Sequence, residues 1–182
     1  MMSGTVGRRY AKALFALAKE SAALQPTADQ LNGVAALASE PSVGPVLRSP
    51  LLSAARRADI AAMLARELKL SDLLTRFVRL LADQQRLGEL AAIAARFQTL
   101  LDDELGRVRV TIRSARALDR TQEEEVVAAF AKLTGKQVVP TVTLDPDLLG
   151  GIVVEAEGKV YDGSVRTQLN RLEKELGGSA AL

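Results

Sequence analysis

Cysteine and histidine are both absent from the 182 residues. Their absence removes disulfides, thiolate nucleophiles, zinc sites of the Cys/His kind and every catalytic triad that needs an imidazole. Aromatic residues make up only 3 %. No apolar run is long enough to span a bilayer, and Met1 to Tyr10 lacks the apolar centre and small-residue cleavage site of a secretory signal. A cytosolic location is the expectation. A large charge of one sign is missing too: the net charge is +2, with thirteen basic against eleven acidic residues up to Leu105 and eleven of each beyond it. Nucleic-acid binders usually carry a basic excess or stripe, so this balance argues against one. What is present is apolar material, 48 % of the chain and dominated by alanine and leucine, which suits helices packed around a core. The length fits one large domain or two small ones, so a boundary has to be sought.

From Val6 the apolar positions Val6, Tyr10, Ala13, Leu14, Leu17 and Ala18 follow the i, i+3, i+4, i+7 pattern of a helix, with Arg8, Arg9, Lys12 and Lys19 opposite. Ala11 and Phe15 widen the apolar surface to roughly half the circumference, more than one core contact usually needs. Pro26 is expected to close this helix and Thr27 to Ser39 to form a second. Pro41, Pro45 and Pro50 leave room for one short helical turn, with Val46 and Leu47 turned inward. Ser53 caps a fourth helix reaching about Lys69, and Ser71 a fifth. In the fifth, Leu73, Leu74, Phe77, Val78, Leu80 and Leu81 span an arc wider than one seam, while Asp72, Arg76, Arg79 and Asp83 share the other side. Gly88 breaks the chain before a sixth helix, Glu89 to Leu105, and Gly106 ends it. Six helices joined by short loops predict a small antiparallel bundle over residues 1–105.

After Gly106 the hydrophobic period changes. Arg107-Val108-Arg109-Val110-Thr111-Ile112-Arg113 alternates strictly, as a strand with one basic and one β-branched face. Thr121 to Leu133 reads as a helix with Glu123, Glu124 and Glu125 in its first turn, where negative charge suits the macrodipole. Val138 to Leu144 makes a second strand. Asp145-Pro146-Asp147 is a turn, Gly150-Gly151 lets the backbone bend or approach another segment closely, and Ile152 to Val154 begins a hairpin that turns at Glu157-Gly158-Lys159 and returns through Val160-Tyr161. Ser164 or Asp162 can cap a last helix from Val165 to about Leu176, whose stripe Val165, Leu169, Leu172 and Leu176 suits one sheet face or one helical partner. The order β-α-β-β-β-α predicts a small α+β domain over residues 106–182.

Two chemical readings of this half can be weighed on the residues. Arg107, Arg109, Arg113, Arg116 and Arg120 could meet phosphates, but no aromatic side chains stand among them for base stacking. Asp145, Asp147 and Asp162 could ligate a hard cation, but aspartates beside proline and glycine serve turns and caps far more often. Gly135-Lys136 fails as a phosphate-binding loop, because Phe130 and Gln137 occupy positions that the pattern reserves for Gly and for Ser or Thr.

Several local sequences resemble the δ subunit of F-type ATP synthases, whose mitochondrial counterpart is the oligomycin-sensitivity-conferring protein. They are Arg9-Tyr10-Ala11-Lys12-Ala13-Leu14-Phe15, Leu47-Arg48-Ser49-Pro50, Phe77 to Leu81, and Arg86-Leu87 through Ile93 to Phe97. The most specific is Asp145-Pro146-Asp147-Leu148-Leu149-Gly150-Gly151-Ile152 with Asp162-Gly163-Ser164-Val165-Arg166 and Leu169. The likeness runs over nearly the whole chain in the family's order. Arg76 and Gln85 stand where family members often carry Asn, and Arg56 and Arg57 where Lys is more usual. The resemblance implies a non-catalytic stator subunit with no cofactor or metal, peripheral on the cytoplasmic face of a bacterial inner membrane. It implies that the helical half binds the α/β catalytic headpiece by gripping an α-subunit N-terminal helix between its first and fifth helices. The groove candidates are then Val6, Tyr10, Leu14, Leu73, Phe77 and Leu81. The C-terminal half is implied to hold the b subunits of the peripheral stalk, with Asp145, Leu148, Gly150, Gly151, Asp162, Gly163, Ser164, Arg166 and Leu169 as its family motif.

Overall fold

The structure, a computed structural model, describes residues 3–49 and 51–177, with side-chain surroundings from Gly7 to Glu173. The chain divides into two compact units, Met1–Leu101 and Asp102–Leu182. A helical N-terminal part is followed by an α+β part.

The helical part contains α1 (Ser3–Glu20), α2 (Leu24–Ser39), α3 (Gly44–Arg48), α4 (Ala54–Glu67), α5 (Asp72–Asp83), a 3-10 turn at Leu87–Glu89 and α6 (Leu90–Glu104). Pro26 does not separate α1 from α2. It lies in the first turn of α2, where a missing N–H costs nothing because that donor has no intrahelical partner. The break falls instead at Ala22, whose φ of 51° ends α1. Ser53 and Ser71 cap α4 and α5 by accepting from the backbone N–H of Arg56 and Leu74. Pro50 lies outside the described residues.

The core of this unit is built from Leu14, Leu31, Leu74, Leu81, Leu90 and Phe97, all with essentially no exposure. Its few aromatics are placed in pairs. Tyr10 meets Phe77 edge-on with ring centres 6.4 Å apart, and Phe15 meets Phe97 at 5.5 Å. Phe130 and Tyr161 make a third such pair, at 5.2 Å, in the second unit. These three contacts use all four phenylalanines and both tyrosines of the chain.

The second unit holds β1 (Arg107–Ser114), α7 (Arg120–Thr134), β2 (Gln137–Leu144), β3 (Ile152–Ala156), β4 (Lys159–Asp162) and α8 (Val165–Gly177). The sheet order is β2-β1-β3-β4, with β1 parallel to β2 and antiparallel to β3. A parallel neighbour demands a crossover, and α7 supplies it. Asp119 and Gln122 form a reciprocal capping box at its start, and Gly135, at φ 67°, closes its end. Val108, Val110 and Ile112 of β1 share a core with Val138, Val154, Ala156 and Phe130 of α7. The hairpin turn is the two-residue Glu157-Gly158, both at positive φ, so Lys159 already belongs to β4. Asp102, in the last turn of α6, belongs with this unit: Arg109 Nε donates to its carboxylate at 2.6 Å.

Gly151 permits the close approach that joins β3 to α8. Its φ is 78°, and a Cβ there would stand 2.4 Å from the carbonyl oxygen of Gly163. Gly151→Ala is therefore expected to destabilise the second unit by about 1–3 kcal/mol. Urea unfolding of the full chain checks this, and an unshifted midpoint would show that the corner can relax without cost.

Candidate functional site

Helices α1 and α5 leave a furrow between them. It has a volume of about 450 Å³ and is lined by Leu14, Leu17 and Ser21 on one side and Leu73, Arg76, Phe77 and Leu80 on the other. Leu17 and Leu80 are 49 % and 46 % exposed, so the furrow walls include large aliphatic side chains that the unit does not bury. Leu14 and Phe77, at 0 % and 7 %, form its floor.

The turn of α5 explains this division. At about 100° per residue, with Leu73 at zero, Arg76 falls near 300°, Leu80 near 340° and Phe77 near 40°. Leu74, Leu81 and Val78 fall at about 100°, 80° and 140°. The second group faces the core and is fully buried. Phe77 stands at the junction of the two arcs and serves both.

Of the groove candidates read from the sequence, Tyr10, Leu14, Leu73 and Phe77 lie at or beside this furrow, since Tyr10 packs against Phe77. Leu81 does not: it is wholly buried and does not line the furrow, because its direction on α5 is the centre of the core-facing arc. The side chain of Val6 lies outside the described residues. Four lining residues, Leu17, Ser21, Arg76 and Leu80, were missed as site residues. Leu17 and Leu80 were legible as apolar but could not be separated from core, and Arg76 was expected on the polar side, although its direction borders that of Leu80.

Polar contacts fix α5 at both ends. Near its start, Ser71 N–H donates to Gln30 Oε1 at 3.0 Å, and Gln30 Nε2 donates to the Lys69 carbonyl at 3.4 Å. At its end, Arg57 Nε donates to the Ala82 carbonyl at 3.0 Å and Arg57 Nη1 donates to the Leu52 carbonyl. Lysine could not make this two-way clamp with a single ammonium in the same geometry. The furrow wall is thus held in place from its ends.

In the second unit the motif residues converge on one corner. Asp145 donates its N–H to the Ser114 carbonyl at 2.9 Å and accepts from Arg113 Nη1 at 3.1 Å and from the Asp147 N–H at 3.2 Å. Val165 N–H donates to the Gly150 carbonyl, and Gly163 N–H to the Ile152 carbonyl, each at 3.0 Å. Asp162 accepts from the Ser164 N–H and the Thr167 hydroxyl, each at 2.9 Å, while Ser164 Oγ accepts from the Thr167 N–H at 3.3 Å. Arg166 Nη2 reaches the Asp147 carbonyl at 3.2 Å. Leu148 is half-buried, whereas Leu169 is 54 % exposed.

These bonds occupy the carboxylate oxygens of Asp145 and Asp162, two of the three aspartates that could face a cation. Among the described residues no cluster of three or more carboxylate, thiol or imidazole groups could hold a metal. Of the arginines that might meet phosphates, Arg109 and Arg113 pair with Asp102 and Asp145, Arg120 with Glu124, and Arg107 Nε donates to Gln137.

Of the two coverings that the stripe of the last helix suits, a sheet face or a helical partner, the first is not seen. Val165, Leu169 and Leu172 share one face of α8 and are 38 %, 54 % and 53 % exposed, so no sheet face covers the seam. The side chain of Leu176 lies outside the described residues.

A family model described as ATP synthase delta (OSCP) subunit matches residues 6–176. The chain belongs to that family. An ATP synthase subunit delta of Anaeromyxobacter dehalogenans is 39 % identical over 177 residues, covering 97 % of this chain and 99 % of the relative. One from Desulforamulus reducens is 35 % identical over 177 residues, covering 97 % of each. A chain in the cryo-EM structure of the Toxoplasma gondii mitochondrial ATP synthase hexamer matches with a TM-score of 0.71 at 26 % identity, covering 97 % of both chains. As a member of this family the chain is a non-catalytic stator subunit that serves a linking role in the peripheral stalk.

Charge at the corner sets a pH dependence. The Ser164 N–H, then the Ser164 and Thr167 side chains, hold the Asp162 carboxyl below its ordinary value of 3.8, and Arg113 adds to this. A depressed carboxyl contributes stability that is complete above its unfolded value and lost as pH falls through the folded one. Asp162→Asn keeps an acceptor for the Ser164 N–H and removes the titration. Acid unfolding of the full chain below about pH 4 is expected to be less steep in this variant. Superimposable acid limbs would remove Asp162 from the account.

Proposed function

We propose that the chain clamps the stator of an ATP synthase at two points, and that this lets proton-driven rotation of the central stalk be coupled to ATP synthesis. The helical half, 1–105, holds the catalytic headpiece by taking the N-terminal helix of an α subunit into the α1/α5 furrow. The second half, 106–182, holds the b subunits, with the uncovered face of α8 as the contact. Membrane association, at the cytoplasmic face of a bacterial inner membrane, comes through these partners. Among the described residues no helix is long and apolar enough to cross a membrane.

The observation that carries this reading is the furrow itself. An amphipathic helix laid in a groove anchors through side chains at i, i+3, i+4 and i+7, and the groove must offer uncovered aliphatic surface between two fixed walls. Leu17 on α1 and Leu80 on α5 supply it. Two linked contacts hold more firmly than either alone, which a subunit resisting torque requires.

Leu17→Asp and Leu80→Asp are each expected to weaken binding of a synthetic peptide copying the α-subunit N-terminus about 30-fold or more. Helical content by circular dichroism should not change, because both side chains are about half exposed in the free chain. Unaltered affinity in both would remove the furrow as the docking site. Leu169→Asp with Leu172→Asp should abolish capture of the soluble part of the b subunits while peptide binding persists. Full capture would move the stalk contact away from α8.

A further inference from the structure

Among the described residues that line the furrow, Arg76 alone is charged. Its Nε donates to the Asp72 carbonyl one turn earlier at 3.2 Å, which anchors the side chain to its own helix. Neither Nη group has a partner among the described residues, and no carboxylate forms an ion pair with it there. Asp72 and Asp83 stand on the same helix and leave it unpaired. With the furrow open, water satisfies these donors.

Docking changes that balance. A helix lying over Leu17, Leu73, Phe77 and Leu80 removes water from the guanidinium, and a charge left unpaired against aliphatic side chains opposes binding. A carboxylate brought over Arg76 reverses the sign, because the planar guanidinium offers paired donors to two carboxylate oxygens. Resting on the furrow assignment above, we propose that Arg76 is a specificity residue which selects an incoming α-subunit helix carrying Asp or Glu opposite it on an otherwise apolar docking face. The apolar walls supply most of the affinity, and Arg76 fixes register and direction along the groove.

The test uses the full chain and a synthetic peptide copying the N-terminal helix of the α subunit from the same source, titrated calorimetrically at low and moderate salt. Arg76→Met keeps an unbranched apolar stem and is expected to lower affinity about tenfold and to flatten its salt dependence. Arg76→Glu should bind still more weakly and recover when one acidic residue of the peptide, found by replacing each in turn, is changed to Lys. If Arg76→Met binds as well as the parent or better, or if its loss of affinity leaves the salt dependence unaltered, the pairing is wrong while the furrow assignment survives. If Leu17→Asp and Leu80→Asp leave peptide binding intact, the furrow assignment fails and the pairing falls with it.

Discussion

Helix α5 has more apolar surface than its own unit can bury, and the helical unit is arranged around that surplus. One arc, through Leu74, Val78 and Leu81, is consumed by the core. The adjoining arc, through Leu73 and Leu80, faces Leu17 of α1 across an open furrow. A helix with a free apolar side would ordinarily shift to cover it. Here Gln30 holds the backbone near the start of α5, and Arg57 holds its end through the Ala82 carbonyl. Because these polar contacts act at the termini, they fix the helix without covering its side. A wall held in advance also has little freedom to lose when a ligand arrives, so more of the buried area appears as affinity.

In the second unit the residues with the most specific family pattern act mainly on the chain itself. Asp145, Gly150, Gly151, Asp162, Ser164 and Arg166 form a connected set of bonds that turns the chain from β2 into β3 and starts α8 from the end of β4. Gly151 belongs there because of contact with Gly163, within the same chain. The corner sets where α8 begins. The apolar side chains Val165, Leu169 and Leu172 then stand uncovered on the helix so started. The residues that bond this corner and the uncovered apolar side chains of α8 thus stand in neighbouring positions, the first supporting the second, and Leu169 belongs both to the family pattern and to the exposed face.

Much of this was legible before the structure, for reasons that differ by element. The strict alternation of Arg107 to Arg113 predicted β1 because a period of two has one structural meaning, and the burial of Val108, Val110 and Ile112 follows it. Its neighbours were not legible, since alternation says which face is buried but not that β2 lies parallel on one side and β3 antiparallel on the other. Pro26 misled, because proline is tolerated in a first turn as well as after a last one. On α5 the width of the apolar arc was visible, yet the division between core and furrow depends on where α1 sits. That is why Leu81 looked like a groove residue, and why Arg76, which is exposed as its polar side predicts, did not.

A stator contact must resist force along the groove as well as separation from it. Apolar burial is non-directional and depends on area, so a helix sliding by one turn in an aliphatic furrow loses little of it. Side chains that interlock with those on the floor of the groove, Leu14 and Phe77, oppose such sliding only through shape. A charge at one point along the wall opposes it more sharply, because displacement by one turn of about 5.4 Å separates the guanidinium from its carboxylate. An apolar trough with one embedded charge therefore combines a grip that salt scarcely weakens with a single preferred register. In the proposed docking, Arg76 would provide that register from its position between Leu73 and Leu80 on the wall that α5 presents.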